Sequence, residues 1–127
     1  METNVEFFQC ARERFPDLAE KADRQHIKQW GEPPTVQDDS YIWFESVSNA
    51  LNNEMQRSSY LKEAQKFFEF VESVFRQGSS EVKKCIDVAL VENLFWQVPA
   101  QKVAPYWQVL PSALQALYVG FHGRAPL

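Results

Sequence analysis

Glycine is scarce in this chain of 127 residues, with four in all, and that shortage argues against an all-β fold, which needs many tight turns. Cysteine is scarcer still. Cys10 and Cys85 are too few for the disulfide framework of a small secreted protein, and they fit a reducing compartment. Only His26 and His122 represent histidine, and no pair among them and the two cysteines shows helical ligand spacing, so no metal and no cofactor are expected. No stretch approaches the apolar length of a membrane span. The opening Met-Glu-Thr-Asn-Val-Glu has neither the basic nor the apolar part of a signal peptide, which makes a cytoplasmic location the expectation.

Catalytic signatures are missing too. There is no Gly-Xaa-Ser-Xaa-Gly nucleophile turn, no phosphate loop and no dinucleotide fingerprint. The net charge of −4 and the absence of any basic helical face argue against nucleic-acid binding. The same acidity is compatible with a cationic protein partner.

What is present is aromatic and helical. Ten Phe and four Trp imply a core of large side chains. Thr3-Asn4-Val5-Glu6 has the capping-box spacing, so a first helix is expected over Asn4 to Arg14, with Val5, Phe8 and Ala11 on one side. Pro16 suits the first turn of a second helix, which places Leu18, Ala22 and Ile27 on one side and stops near Trp30-Gly31. Gly31-Glu32-Pro33-Pro34 breaks the chain, and Asp38, Asp39 or Ser40 can cap the next helix. From Tyr41, residues Phe44, Val47, Leu51 and Met55 recur at helical spacing.

The strongest amphipathic pattern begins after Ser58-Ser59, with Leu61, Ala64, Phe68, Val71 and Phe75 on one face, and ends at Gly78. Ser79-Ser80 then cap a helix over 81–96 that is apolar nearly all round: Val88-Ala89-Leu90-Val91, then Leu94-Phe95-Trp96. Such a helix belongs at the centre. Prolines at 99, 105 and 111 imply loop over Val98 to Val109, with one turn after Pro105. A last helix opens at Pro111 and ends at Gly120, leaving Phe121 to Leu127 as a tail docked through Phe121. The expected fold is all-α: one domain over 1–127, an irregular orthogonal array of five to six helices around the central one.

Two polar groups stand out against this background. Glu92 and Asn93 fall along the apolar side of the central helix, between Cys85 and Trp96 and between Val82 and Ile86. Burial of a lone charge is costly, so each reads as a buried structural anchor, with a general acid or base at Glu92 as the alternative. Asp38, Asp39 and Glu45 form an acidic entry to the third helix beside Tyr41, Ile42 and Trp43. Trp43 and Ile42 lie off the core stripe. Either the helix is buried on two sides, as large apolar residues usually are, or one of them is exposed, and an exposed aromatic rimmed by charge is the mark of a protein-binding hot spot. Glu69 and Glu72 form a weaker second acidic patch.

The stretch Ser80 to Leu94 has the form Val-x-x-x-Ile-x-Val-x-x-x-Glu-x-Leu behind an amphipathic helix, and Leu110-Pro111-Ser112 opens a later one. Over residues 40 to 119 the chain resembles small bacterial helical proteins similar to the immunity proteins of polymorphic toxin systems. The resemblance implies a cytoplasmic, non-enzymatic inhibitor that neutralises a cognate toxin by binding it. It supplies no catalytic residue, and its glutamate falls on Glu92. Within that expectation the partner is a cationic toxin, bound through Asp38, Asp39, Tyr41, Trp43 and Glu45, with Glu69 and Glu72 nearby. The alternatives are a helical adaptor of another pathway and an enzyme using Glu92.

Overall fold

A computed structural model describes residues 1–127, and every regular element in it is helical. The first helix, α1 (Asn4–Arg14), carries the full capping box: the Thr3 hydroxyl accepts from the Glu6 N–H at 3.1 Å and the Glu6 carboxylate accepts from the Thr3 N–H at 3.2 Å. Helix α2 (Pro16–Trp30) starts on its proline and stops at Gly31, whose φ of 85° is left-handed and whose N–H returns to the Ile27 carbonyl at 2.7 Å. A short helix, α3 (Val36–Asp39), is capped by Thr35. It is followed by α4 (Trp43–Gln56) and α5 (Leu61–Gln77). Then come α6 (Ser80–Lys84), a π-helical segment (Cys85–Val91), α7 (Ala100–Val109) and α8 (Ser112–His122). Eight α-helices and one π segment thus exceed the expected five to six.

The helix expected over 81–96 changes character part-way. Its α geometry yields to the wider π geometry at Cys85, and regular structure ends at Val91, with Glu92 to Gln97 in turns. Phe95 and Gln97 hold φ values of 70° and 57°, which L side chains rarely adopt. The cause is polar. The Asn93 side-chain amide donates back to the Ala89 carbonyl at 2.9 Å, taking an acceptor that a continuing helix would use.

The proline-rich stretch is also not the loop its composition implies. Pro99 caps α7, its carbonyl accepting from the Lys102 and Val103 amides, and Pro105 sits inside the helix. Pro105 removes one bond to the carbonyl of Gln101, an exposed residue whose carbonyl can turn to water. Burial of Val103 and Tyr106 holds the helix despite that loss. At the chain's end, Gly120 lies within α8 and Gly123, with φ of 79°, stops it, so Phe121 is exposed rather than docked.

One contiguous cluster of 31 buried apolar residues forms the core. Phe7 stacks on Phe44 at 4.1 Å between centroids, and Phe15 meets Phe67 edge-on at 5.3 Å, so α1 and its end lock onto α4 and α5. A second aromatic knot of Phe95, Trp107 and Tyr118, with centroids 5.5–5.9 Å apart, fastens the 92–97 turns to α7 and α8. Each such side chain, fully buried, contributes about 1.5–3 kcal/mol. Helix α4 packs against α2, the π segment and α7, which is why it is buried on more than one side. No helix is long and apolar enough to cross a membrane.

Candidate functional site

The burial of α4 on several sides decides the fate of Trp43. Its side chain is 1% exposed, sits edge-on to Phe8 at 4.9 Å and donates its indole N–H to Asp23 Oδ1 at 2.8 Å. Asp23 also receives both arms of the Arg12 guanidinium, at 2.6 and 2.8 Å, and that guanidinium lies over the Phe8 and Trp43 rings. Trp43 is therefore a core residue with a satisfied polar tip. Its expected place as the anchor of a binding face is corrected. Aliphatic spacing alone defines a single stripe on α4 and misses the second face, which α2 covers.

The remaining acidic positions divide into two neighbouring groups. On α3, Asp38 is exposed, while Asp39 turns inward to accept from the Thr35 N–H at 2.8 Å and stands 3.8 Å from the Nε2 of His26. His26 is almost wholly buried and its Nδ1 has no partner, so the inward face of α2 carries a histidine where the spacing predicts Ile27; Ile27 points to solvent. Beside α3, half-buried Tyr41 and Glu45 lie within electrostatic range of Asp87 and Glu92, which come from a distant part of the sequence. The Tyr41 hydroxyl is held above its usual range first by burial, then by the nearby Cys85, Glu45, Glu92 and Asp87. Glu45 is raised by burial. Glu92 is raised by burial and then by Asp87, against a smaller opposing pull from His122.

Glu92 and Asn93 are each half-buried rather than buried. The Glu92 carboxylate has no hydrogen-bond partner in the fold; its main chain is engaged, the carbonyl with His122 Nε2 at 3.1 Å and the N–H donating to the Asp87 carbonyl at 3.1 Å. The buried polar anchors are instead Asn52, Ser48 and Glu54, all on α4. Glu54, 8% exposed, pairs with Lys21 at 3.2 Å and accepts from the Ser59 hydroxyl at 2.8 Å. Ser48, Asn52 and Gln56 recur every four residues and could have been found by that spacing: they bond the carbonyls of Leu90, Asn93 and Gln97 in turn. Glu69 and Glu72 lie apart from the α3–α4 face, on α5. Glu69 borders a groove of about 490 Å³ with Arg14, Lys66 and Phe70, and Glu72 pairs with Arg76 at 3.4 Å.

No three His, Cys, Asp or Glu side chains converge as a metal ion would require. None of the five principal cavities is lined by Glu45 or Glu92. The carboxylates of Glu45, Asp87 and Glu92, in electrostatic range of the Tyr41 phenol, form no ion pair with Lys or Arg.

Residues 8–123 match a family described as a domain of unknown function, DUF7674. The chain belongs to this family. The match takes in every helix except the first residues of α1, so the Tyr41 face and the α4 polar ladder both lie within the DUF7674 domain. No curated protein and no solved structure matches the chain.

Proposed function

We propose that this protein is a cytoplasmic immunity protein, one that neutralises a cognate bacterial toxin by binding a cationic surface on it, with no turnover of its own. The observation that carries the reading is that Glu45 and Glu92 are half-buried, make no ion pair and lie, with Asp87, within electrostatic range of Tyr41. Glu45, raised by desolvation, and Glu92, raised by desolvation and then by Asp87, are poorly served in the free protein, and an arriving Lys or Arg relieves them. Opposite charge also speeds encounter and fixes register. Tyr41 takes the anchoring role that the sequence pattern suggests for Trp43, with exposed Asp38 extending the acidic rim and Asp39 turned inward behind it. Glu69 and Glu72 on α5 remain a secondary patch. The reading treats the fold as an irregular orthogonal array around Ser80–Val91, which the burial of Val82, Ile86, Ala89 and Leu90 supports.

The test is titration calorimetry and stopped-flow association with the toxin domain encoded beside the gene. A complex is expected, and Glu45→Gln with Glu92→Gln should slow association at low salt about tenfold while changing dissociation little. Failure to form a complex, or association indifferent to salt and to both substitutions, overturns it. A second reading, favoured by the raised Glu92 carboxyl near His122, makes Glu92 a general acid or base. It requires a reaction that Glu92→Gln abolishes while toxin binding persists. A helical adaptor of another pathway would use the same face on a different cationic partner.

A further inference from the structure

Away from the acidic face, α2, α4 and the 92–97 turns enclose a groove of about 320 Å³ lined by Gln25, Asn49, Asn52, Asn53, Gln56, Gln97 and Trp96. Six of the seven side chains are carboxamides and none is charged. Trp96 is 65% exposed, against 1% for Trp43. It is held out rigidly rather than left loose. Asn52 Oδ1 accepts from the Phe95 N–H at 2.7 Å, and Gln56 Nε2 donates to the Gln97 carbonyl at 2.8 Å, so the residues on both sides of Trp96 are clamped in left-handed conformations. Both the strain and the exposed indole cost stability, and the core gains nothing from Trp96. Gln25, Asn49 and Asn53 take part in none of the chain's side-chain hydrogen bonds.

We propose that this groove binds a neutral saccharide, one pyranose ring lying flat on Trp96 and its hydroxyls meeting the carboxamides. Each hydroxyl donates and accepts, and each carboxamide does both, so a row of Asn and Gln matches a polyol without proton bookkeeping. The absence of charge disfavours an ionic ligand, which would be desolvated with no counter-charge. The indole offers an apolar face to the ring's C–H groups and keeps a polar edge in water. The groove continues past Gln25 and Asn53 into a second hollow of about 180 Å³ bordered by Lys21, Arg24 and Arg57. Those cations do not make it an anion site: Lys21 and Arg57 lie 3.2 and 3.9 Å from Glu54, and Arg24 pairs with Glu20. The combined volume suits an oligosaccharide rather than a single sugar. The site shares no residue with the Tyr41 face and stands or falls independently of it.

The four indole N–H signals in a nitrogen-labelled sample give the readout, titrated with maltotriose, cellotriose and triacetylchitotriose, with glucuronic acid as the charged comparison. At least one neutral trisaccharide should shift the Trp96 indole and the Asn49 and Asn53 side-chain amides saturably, leaving Trp43 still. Trp96→Ala should weaken that binding about tenfold or more with an unchanged melting temperature, and Asn53→Ala should weaken it several-fold. Glu45→Gln with Glu92→Gln should leave it intact. Absence of a saturable shift with all three trisaccharides at millimolar concentration overturns the proposal, as does binding that survives Trp96→Ala. A preference for glucuronic acid overturns it equally, because the groove would then be selecting charge.

Discussion

Asn52 holds the main chain of Phe95 from across the fold: its Oδ1 accepts the Phe95 N–H at 2.7 Å, and its Nδ2 donates to the Asn93 carbonyl two residues earlier, at 2.9 Å. One side chain on α4 thereby satisfies both a donor and an acceptor that the end of the π segment leaves open. The bend that brings Leu94 and Phe95 into the core, and turns Trp96 out of it, depends on this pair.

Asn52→Ala should cost about 2–3 kcal/mol, because it leaves a buried N–H and a half-buried carbonyl without partners. Asn52→Asp should cost at least as much near neutral pH, since the carboxylate still accepts from Phe95 but is buried without a counter-charge and faces the Asn93 carbonyl with no proton to offer. Urea unfolding reads both, and a wild-type midpoint for either variant would show that this pair of bonds does not hold the bend.

Trp43 and Asp23 make a second such pair, now in the core. Trp43→Ala should cost about 3–5 kcal/mol, a large part of the stability of a small domain. Trp43→Phe keeps an aromatic ring but loses the fused pyrrole and its N–H to Asp23, which still has both arms of Arg12, so about 2 kcal/mol should be lost. Thermal melts decide the matter. A Trp43→Ala protein as stable as the wild type would mean the side chain is at the surface after all.

These two pairs also mark what the sequence could and could not disclose. Helix class and the limits of α1 and α2 stem from local signals: Thr3 with Glu6, Pro16, and the left-handed Gly31. The apolar stripe Phe44, Val47, Leu51 and Met55 is fully buried, as its spacing implies. What hydrophobic spacing misses is polar burial. His26 and Asn52 lie inside while Ile27 and Trp96 lie outside; Asn52 is held by hydrogen bonds to distant main chain, which a local pattern does not show. The same blindness extends the central helix through Trp96. A helix that is apolar all round gives no hint that Asn93 and Asn52 will end it. At the acidic face, proximity of Asp38, Asp39, Tyr41 and Glu45 was legible from adjacency along the chain, whereas the arrival of Asp87 and Glu92 beside Tyr41 required the fold.

The carboxyls of that face predict a pH dependence of definite sign. Glu45 and Glu92 have folded-state values above those of the unfolded chain, so the folded form binds their protons more tightly. Their contribution is most favourable below the unfolded carboxylate range and is lost as pH rises through the raised folded values. Glu45→Gln and Glu92→Gln should each therefore raise the melting temperature near neutral pH, with the advantage shrinking toward pH values where the wild-type carboxyls are protonated. A gain that grows on acidification would reverse the sign and show that cations, not burial and Asp87, govern these groups.

Thiol chemistry gives the last prediction. Cys85 opens the π segment with no exposed surface, and burial, helped by Glu81, pushes its thiol up to about 12. The thiolate is the reactive form, so at pH 8 Cys85 is unreactive on two counts: its thiol stays protonated, and no reagent reaches the sulfur. Cys10, half-buried on α1, has a path to solvent. Ellman's reagent should thus titrate a single thiol in the native protein and both in denaturant, with peptide mass mapping placing the native label on Cys10. Cys10→Ser should leave a protein that is silent until it unfolds, so that its labelling rate reports global opening. Native labelling of Cys85 faster than that opening would mean that the π segment separates from α4 on its own, and that the Ser48 bond to the Leu90 carbonyl at 2.5 Å does not hold it there.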